Sequence, residues 1–173
     1  MLEFSTKKGH RMKIIKALCI MATINCMLSL TASEVKINIT MDPAGDFDAV
    51  TSKVEGKLLH VNGEVSAEKI SVNLNDFDCG IFPLRKTHFI EYVQNKQPTP
   101  IIEVTQVKGK ANKASAKIKI NGISKDISFN YKIDGKVAST KFELNVEDFG
   151  LKPREHVGLT TEKIVTLSIK MDL

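Results

Sequence analysis

Apolar and polar side chains alternate along residues 114–136, and the alternation is interrupted by two dipeptides, Asn121-Gly122 and Asp134-Gly135. A period of two is typical of β-strands, whose successive side chains point to opposite faces of a sheet. Asn-Gly and Asp-Gly favour the tight turns that join antiparallel neighbours. The stretch therefore predicts a hairpin and a turn into a third strand, with one apolar face that something must cover.

The same alternation recurs through most of the chain, which predicts an all-β fold. In the segment 35–41, for example, Val35, Ile37 and Ile39 are separated by polar residues. Turn-forming pairs such as Asn62-Gly63 divide the segments, as expected for antiparallel strands. Eight strands are predicted, at 35–41, 53–61, 69–74, 101–107, 115–120, 126–133, 139–146 and 161–173.

Residues 83–93 interrupt this pattern. Leu84, His88 and Tyr92 recur at every fourth position, with Phe89 beside them, and this spacing predicts a short helix. The prolines at 98 and 100 then return the chain to extended structure. The sequence therefore predicts one helical insertion in an otherwise β domain.

Eight antiparallel strands with one apolar face each can form two packed sheets or one closed barrel. The last strand favours closure, because it alternates up to the C-terminus and would otherwise leave a long exposed edge. Pairing with the first strand would cover that edge. An eight-stranded barrel is wide enough either to be filled by its own side chains or to hold one slender ligand.

Positive charge is concentrated at the N-terminus. The formal net charge of the sequence is +5, and residues 1–33 hold five basic residues against Glu3 alone. The remaining residues are close to neutral, with lysines interleaved among acidic residues. Nucleic-acid binding relies on a clustered basic face, so we expect no nucleic-acid partner.

The N-terminal segment has the features of a secretory signal peptide. A positive start precedes an apolar run from Ala17 to Leu30, and small residues follow it. The run is shorter than the roughly 20 residues that a membrane-spanning helix needs. We predict a signal peptide over residues 1–33, in which residues 1–11 precede a better start at Met12, and a mature domain over 34–173.

Cysteine usage agrees with this division. Cys19 and Cys26 lie in the predicted leader, so the mature chain keeps Cys79 alone and can form no intrachain disulfide. Cys79 could be a reactive thiol, a dimer crosslink or a small buried side chain. No His or Lys lies beside it in sequence, which favours the buried interpretation.

Several motifs together resemble the YceI-like family of lipocalin-shaped periplasmic proteins. They are, in order, GKLLHVNGEV, LRKTHFIEY, TPIIEV, AKIKINGISKDISFNY and DFGLKP. The resemblance covers roughly residues 46–173. It implies an eight-stranded antiparallel, lipocalin-like barrel with a short helical insertion, whose tunnel binds a polyisoprenoid or a similar amphiphile without catalysis.

The inward faces of the predicted strands agree with such a tunnel. They are mostly aliphatic, with a few aromatic rings. In the helical insertion, Arg85 and His88 are candidates to contact a ligand's polar head group. The predicted tunnel lining consists of Ile118, Ile120, Ile127, Phe129, Tyr131, Phe142, Leu144 and Val146, with Phe89 of the helix.

Catalytic and metal-binding constellations are weak. His88 and Glu91 have a spacing that can present two metal ligands, but two ligands are too few for a stable site. No strained Gly-x-Ser-x-Gly turn occurs that could present a serine nucleophile. We therefore expect no enzyme activity, no metal and no cofactor other than a non-covalently bound lipid.

The resemblance and the leader together predict an exported, periplasmic protein that sequesters or carries an isoprenoid or quinone-like lipid. Transient contact with a membrane or membrane protein, and a homodimer, stay open. The alternative hypothesis is an envelope stress or protein-interaction module with a solid barrel, no ligand and an active outer surface.

Overall fold

The computed structural model describes residues 33–81, 83–94, 99–153, 155–156 and 158–173. The predicted signal peptide lies outside these residues except for Ser33, and it stays a prediction. The described residues belong to one compact unit. No helix in the described part of the chain has the length and hydropathy that a membrane crossing requires.

The described residues form twelve antiparallel strands, one α-helix and two 3₁₀ turns. The helix α1 comprises Pro83–Gln94, and the turns comprise Leu74–Asp76 and Val146–Phe149. The strands are β1 (Glu34–Asp42), β2 (Gly45–Thr51), β3 (Val54–Gly56), β4 (Leu59–Val61), β5 (Glu64–Asn73), β6 (Ile101–Lys110), β7 (Lys113–Ile120), β8 (Ile123–Asp134), β9 (Val137–Asn145), β10 (Glu155–His156), β11 (Leu159–Thr161) and β12 (Ile164–Asp172).

These strands form a nearly closed barrel, which confirms the predicted all-β fold. Neighbours around the wall follow the order β2, β1, β12, β9, β8, β7, β6, β5. The run β2–β4 closes the circuit, because β2 pairs with β1 whereas β3 and β4 pair with β5. The predicted pairing of the first and last strands is present, with Val35 opposite Ile169.

The strand count differs from the predicted eight. Eight strands have seven or more residues, but β2 was not predicted, and neither were the short β10 and β11. The segment 53–61 forms two short strands, because Gly56 adopts a φ of 106° that ends β3. A Cβ at this position would collide with the carbonyl oxygen of Lys69, so only glycine fits there.

The apolar interior forms two clusters. The helix-side cluster contains the largest fully buried rings, Phe77 and Phe149, together with Leu74 and Ile118. The second, the alanine-rich cluster, lies towards the turns that join β6 to β7 and β8 to β9. Its small side chains are Ala67, Ala114, Ala116 and Ala138.

Helix α1 confirms the predicted helical insertion and packs on the helix-side cluster. Phe89 and Val93 are buried, and the ring centroids of Phe89 and Phe77 are 5.4 Å apart in a tilted arrangement. Such aromatic pairs contribute about 0.5–1.5 kcal/mol beyond the burial of their area. This contact fixes α1 at one end of the barrel.

Strand β6 changes the face that it presents to the interior. Ile102 and Val107 are both buried, although they are five positions apart and regular alternation would place them on opposite faces. The change coincides with a register shift between Thr105 and Lys108, where Gln106 has a φ of 56°. A β-bulge of this kind inserts one residue and reverses the alternation beyond it.

Polar contacts attach β2 to β1. Lys36 Nζ lies 2.5 Å from Asp48 Oδ2, and Asn38 Nδ2 donates a hydrogen bond of 3.0 Å to Asp48 Oδ1. The Lys36 and Asn38 contacts lower the pKa of the Asp48 carboxyl below its usual value. The ionised carboxylate therefore stabilises this pairing, within the small range typical of half-exposed ion pairs.

We predict that Asp48→Asn lowers the free energy of unfolding at pH 7 by less than about 1 kcal/mol. The stabilisation by Asp48 is complete above about pH 4, the usual range of an Asp carboxyl, and is lost as the pH falls through the lowered folded-state pKa. Denaturant unfolding of both proteins should show a difference that shrinks as the pH is lowered towards 2. Asp126→Asn, at an 87% exposed side chain, is the control and should differ little from wild type; a D48N deficit that persists at low pH would contradict the prediction.

Candidate functional site

A cavity of about 870 Å³ runs through the barrel interior. Apolar side chains from all eight long strands and from α1 line it, and ligand pockets in proteins commonly span about 300–1,000 Å³. The cavity contacts both apolar clusters, from Phe89 at α1 to Met171 among the small residues of the alanine-rich cluster. It therefore runs lengthwise through the barrel.

The residues predicted from the sequence come together in this cavity. Arg85 and His88 line it at its α1 end, and Phe89 lies beside them. The predicted lining residues of β7, β8 and β9, and the turn after β9, also face it: Ile118, Ile120, Ile127, Phe129, Tyr131, Phe142, Leu144 and Val146. Their contact with a ligand stays a proposal.

The predicted set omitted the lining residues of the five other long strands, β1, β2, β5, β6 and β12. Those of β1 and β12 follow the same alternation that predicted the other lining residues, so the sequence contained the signal. Those of β5 and β6 were harder to find, because the face change near Gln106 breaks the alternation. The omitted residues include Val35, Ile37, Ile39, Val65, Val72, Val104, Val107, Leu167, Ile169 and Met171.

Side chains do not fill the interior. Three cavity-lining side chains pack against both apolar clusters: Val104, Ile127 and Ile169. They therefore lie midway along the barrel, at a position that we call its waist. All three face the cavity and yet are only partly buried. Inward-facing apolar side chains that keep exposed surface show that the barrel is hollow, which contradicts the solid barrel of the alternative hypothesis.

Tyr131 is the one aromatic residue among the buried members of the alanine-rich cluster, and it is 5% exposed. A Cβ at Gly109 would lie 2.8 Å from Tyr131 Cε1 and 2.5 Å from Val65 Cγ2. Real side chains almost never approach so closely, so glycine at 109 leaves the space that the tyrosine ring occupies. Tyr131 thus lies across the neighbouring strands and contributes a ring to the lining at this end.

The α1 end of the cavity is more polar. The Arg85 guanidinium carbon lies 5.5 Å from the centroid of the Phe47 ring, a cation–π geometry. Nδ1 of His88 lies 3.7 Å from Glu91 Oε2, and Glu162 also lines the cavity. We call Phe47, Arg85, His88, Glu91 and Glu162 the polar mouth.

The described residues contain no group of three or more His, Cys, Asp or Glu side chains placed to hold a metal ion. His88 and Glu91 are neighbours on α1, as the sequence suggested, and their side chains are each about half exposed. His60 lies on β4 and is exposed. The mouth is therefore a polar surface with both charge signs.

Cys79 lies outside the cavity lining and is 2% exposed, which confirms the buried interpretation. Burial raises the pKa of the Cys79 thiol, and the negative charge of Asp78 raises it further. The thiol therefore stays protonated at neutral pH, and the reactive form of cysteine is the thiolate. Cys79 acts as a packing residue.

Comparison with known proteins identifies the barrel. The YceI-like domain matches residues 28–173 of the chain. The chain belongs to the YceI-like family. This confirms the resemblance found in the sequence, and the proteins of the YceI-like family are binding proteins rather than enzymes. A search among curated proteins found no match.

Solved structures of YceI-like barrels have the same fold. BcnA of Burkholderia cenocepacia superposes with a TM-score of 0.61 at 13% identity, covering 82% of this chain and 96% of BcnA. A polyisoprenoid binding domain from Saccharophagus degradans, implicated in plant cell wall breakdown, gives 0.58 at 15% identity, covering 81% and 92%. The YceI protein of Campylobacter jejuni gives 0.56 at 14% identity, covering 70% and 80%.

Proposed function

We propose that this YceI-like protein binds the chain of an isoprenoid or quinone-like lipid in its barrel cavity and sequesters or carries it. The observation that supports this proposal is the hollow, apolar interior of about 870 Å³. The Saccharophagus degradans neighbour with the same fold is a polyisoprenoid binding domain. A carrier of this kind needs a shaped apolar cavity and no catalytic group, so we propose a binding protein without enzyme activity.

Transfer of hydrocarbon from water to the cavity supplies the binding free energy. Burial of each CH₂ group contributes about 0.8 kcal/mol, so a five-carbon isoprene unit contributes at most about 4 kcal/mol. A few such units would offset the loss of chain freedom on binding without any directed polar contact. The lining therefore favours a long apolar chain and sets little restriction on its chemistry.

The polar mouth suggests where the head group lies. Arg85 and His88 line the same cavity as the apolar residues but at its α1 end. A guanidinium donates hydrogen bonds to carbonyl, hydroxyl or phosphate oxygens. We propose that the chain occupies the barrel and that an oxygen-bearing head group rests against Arg85 and His88.

The test of the proposed function is to extract the purified protein with organic solvent and to identify co-purified lipid by mass spectrometry. Val104→Phe adds a ring at the waist of the barrel, where the chain would pass. We predict at least a fivefold loss of bound prenyl lipid in this variant, because the added ring divides the cavity.

Lys108→Phe is the matched control, since it places the same ring on the exposed outer face of β6. It should retain wild-type occupancy, and circular dichroism should show that both variants are folded. Wild-type protein that yields no lipid, and that binds none when mixed with farnesol, would reject the proposed function.

Replacement of Arg85 tests the head-group contact. We predict that Arg85→Ala weakens binding of a short-chain ubiquinone about tenfold, or about 1.4 kcal/mol, but leaves binding of the corresponding prenyl hydrocarbon unchanged. Lys86→Ala is the control, because Lys86 is its neighbour on α1 and does not line the cavity. Equal losses for both ligands would indicate a general effect on the barrel and would contradict the head-group role.

We also propose that the leader directs the chain to the periplasm, where such a lipid would be exchanged with a membrane. Expression of the full chain in a Gram-negative host should yield periplasmic protein whose N-terminal sequence starts after Ala32 or Ser33. Protein that stays in the cytoplasm with an intact N-terminus would reject this part of the proposal.

A further inference from the structure

One seam of the barrel wall is hydrogen-bonded along only part of its length. Strands β8 and β9 pair at four positions, from Asp134 opposite Val137 to Tyr131 opposite Thr140. Beyond Tyr131 the register stops, although β8 continues back to Ile123 and β9 continues to Asn145. Each strand is paired there on its other side only, β8 with β7 and β9 with β12.

Defined contacts bound this opening at both ends. At one end the hydroxyl of Thr140 donates a 2.6 Å hydrogen bond to the carbonyl oxygen of Asn130, where the ladder stops. At the other end Asn121 Nδ2 donates a 3.0 Å hydrogen bond to the carbonyl oxygen of Phe149. The five unpaired residues of β9, 141–145, span about 17 Å at the usual rise per strand residue.

Apolar side chains on both sides of the opening face the cavity. Phe129 of β8 and Phe142 of β9 stack across it, with ring centroids 5.1 Å apart and planes inclined by 15°. Ile127 lies further along β8, and it lines the cavity as both rings do. The unpaired part of the seam is therefore closed by a side-chain contact, whereas backbone hydrogen bonds close the paired part.

The exposure of β8 agrees with an open edge. Its inward-facing Ile127 and Phe129 are partly buried, whereas the inward-facing Ala116 and Ile118 of the neighbouring β7 are buried. The free edge also carries charged residues such as Lys125, a feature that discourages pairing with a strand of another molecule. The edge is thus protected from strand addition and open to small apolar groups.

We propose that the opening between β8 and β9 is a lateral portal through which the lipid's hydrocarbon chain enters and leaves the cavity. This inference rests on the proposed function. Phe129 and Phe142 form the gate: their rings must separate for a chain to pass, and the backbone hydrogen bonds of the barrel stay intact. Entry from the side lets the chain enter while the head group stays at the polar mouth.

A disulfide across the portal tests this proposal. Asn130 and Lys141 occupy the next rung after the last β8–β9 pair, and both are exposed. The double variant Asn130→Cys, Lys141→Cys should lock the two strands together when oxidised. The measured quantity is the rate at which dansyl-labelled farnesol passes from phosphatidylcholine vesicles to the full-length mature protein.

We expect oxidation to slow uptake at least tenfold, to leave the final amount bound unchanged, and to be reversed by dithiothreitol. The control is Ser115→Cys, Ser128→Cys, which links β8 to β7 at a position that is already paired. Its oxidised and reduced forms should take up the probe equally fast. Equal rates for the oxidised and reduced Asn130/Lys141 variant, with the disulfide verified by mass spectrometry, would overturn the portal.

A second pair of variants covers the case in which the disulfide does not form. Phe142→Ala removes one ring of the gate and should accelerate uptake at least threefold. Leu59→Ala shortens an exposed apolar side chain outside the cavity lining and should leave the rate unchanged, whereas Phe47→Ala removes a ring of the same size as Phe142 from the polar mouth and tests entry there. Acceleration by Phe47→Ala alone would place entry at the mouth and overturn the portal, whereas wild-type protein that takes up no probe would reject the proposed function and the portal together.

Discussion

The number of strands sets the diameter of a closed barrel, whereas the inward-facing residues determine how much of its interior is filled by side chains. Eight strands leave an interior that side chains can just fill, and this barrel places small residues where larger ones would be needed. Alanines at 67, 114, 116 and 138 and the glycine at 109 line or adjoin one end, and the chain has no tryptophan. The inward side chains are too small to fill the interior that eight strands enclose, and the space that is left is the cavity.

The two ends of the barrel differ in the size of the side chains that pack there. At the α1 end, the large rings of Phe77, Phe89 and Phe149 pack together in the helix-side cluster, and those of Phe77 and Phe89 also line the cavity. At the other end, the ring of Tyr131 lies next to Gly109, where several alanines leave room for it. The cavity thus extends from an end where large rings pack to an end where small side chains predominate.

Most of the fold could be predicted from alternation, because a barrel with one apolar face leaves a period of two in each long strand. The strand β2 was missed, since Asp46 and Asp48 disfavour strands and Ala49 and Thr51 add little apolar signal to its inner face. Its position depends on Lys36 and on other cross-strand partners that the local sequence does not reveal. The bulge at Gln106 could not be predicted either, because it depends on a positive φ that the pattern of side chains does not reveal.

The candidate site could be predicted to the same extent and for the same reason. Inward residues of β7, β8 and β9 follow the alternation, and all of those predicted line the cavity. Arg85 and His88 could be named as head-group candidates because they are polar residues of the helical insertion, which had to meet the barrel somewhere. Their neighbours Phe47 and Glu162 come from distant parts of the sequence. The residues of the polar mouth could therefore be identified only from the three-dimensional structure.

The partial pairing of β8 with β9 also affects how the barrel responds to its contents. A sheet that is hydrogen-bonded around its whole circumference cannot widen without breaking backbone bonds, so its diameter is rigid. Here one seam lacks backbone pairing along part of its length and is bridged by the stacked rings of Phe129 and Phe142, whose contact can break without the loss of a backbone hydrogen bond. The wall is therefore less rigid along this seam than along the seams that are fully paired, and its width can change there while the other strand pairs stay formed.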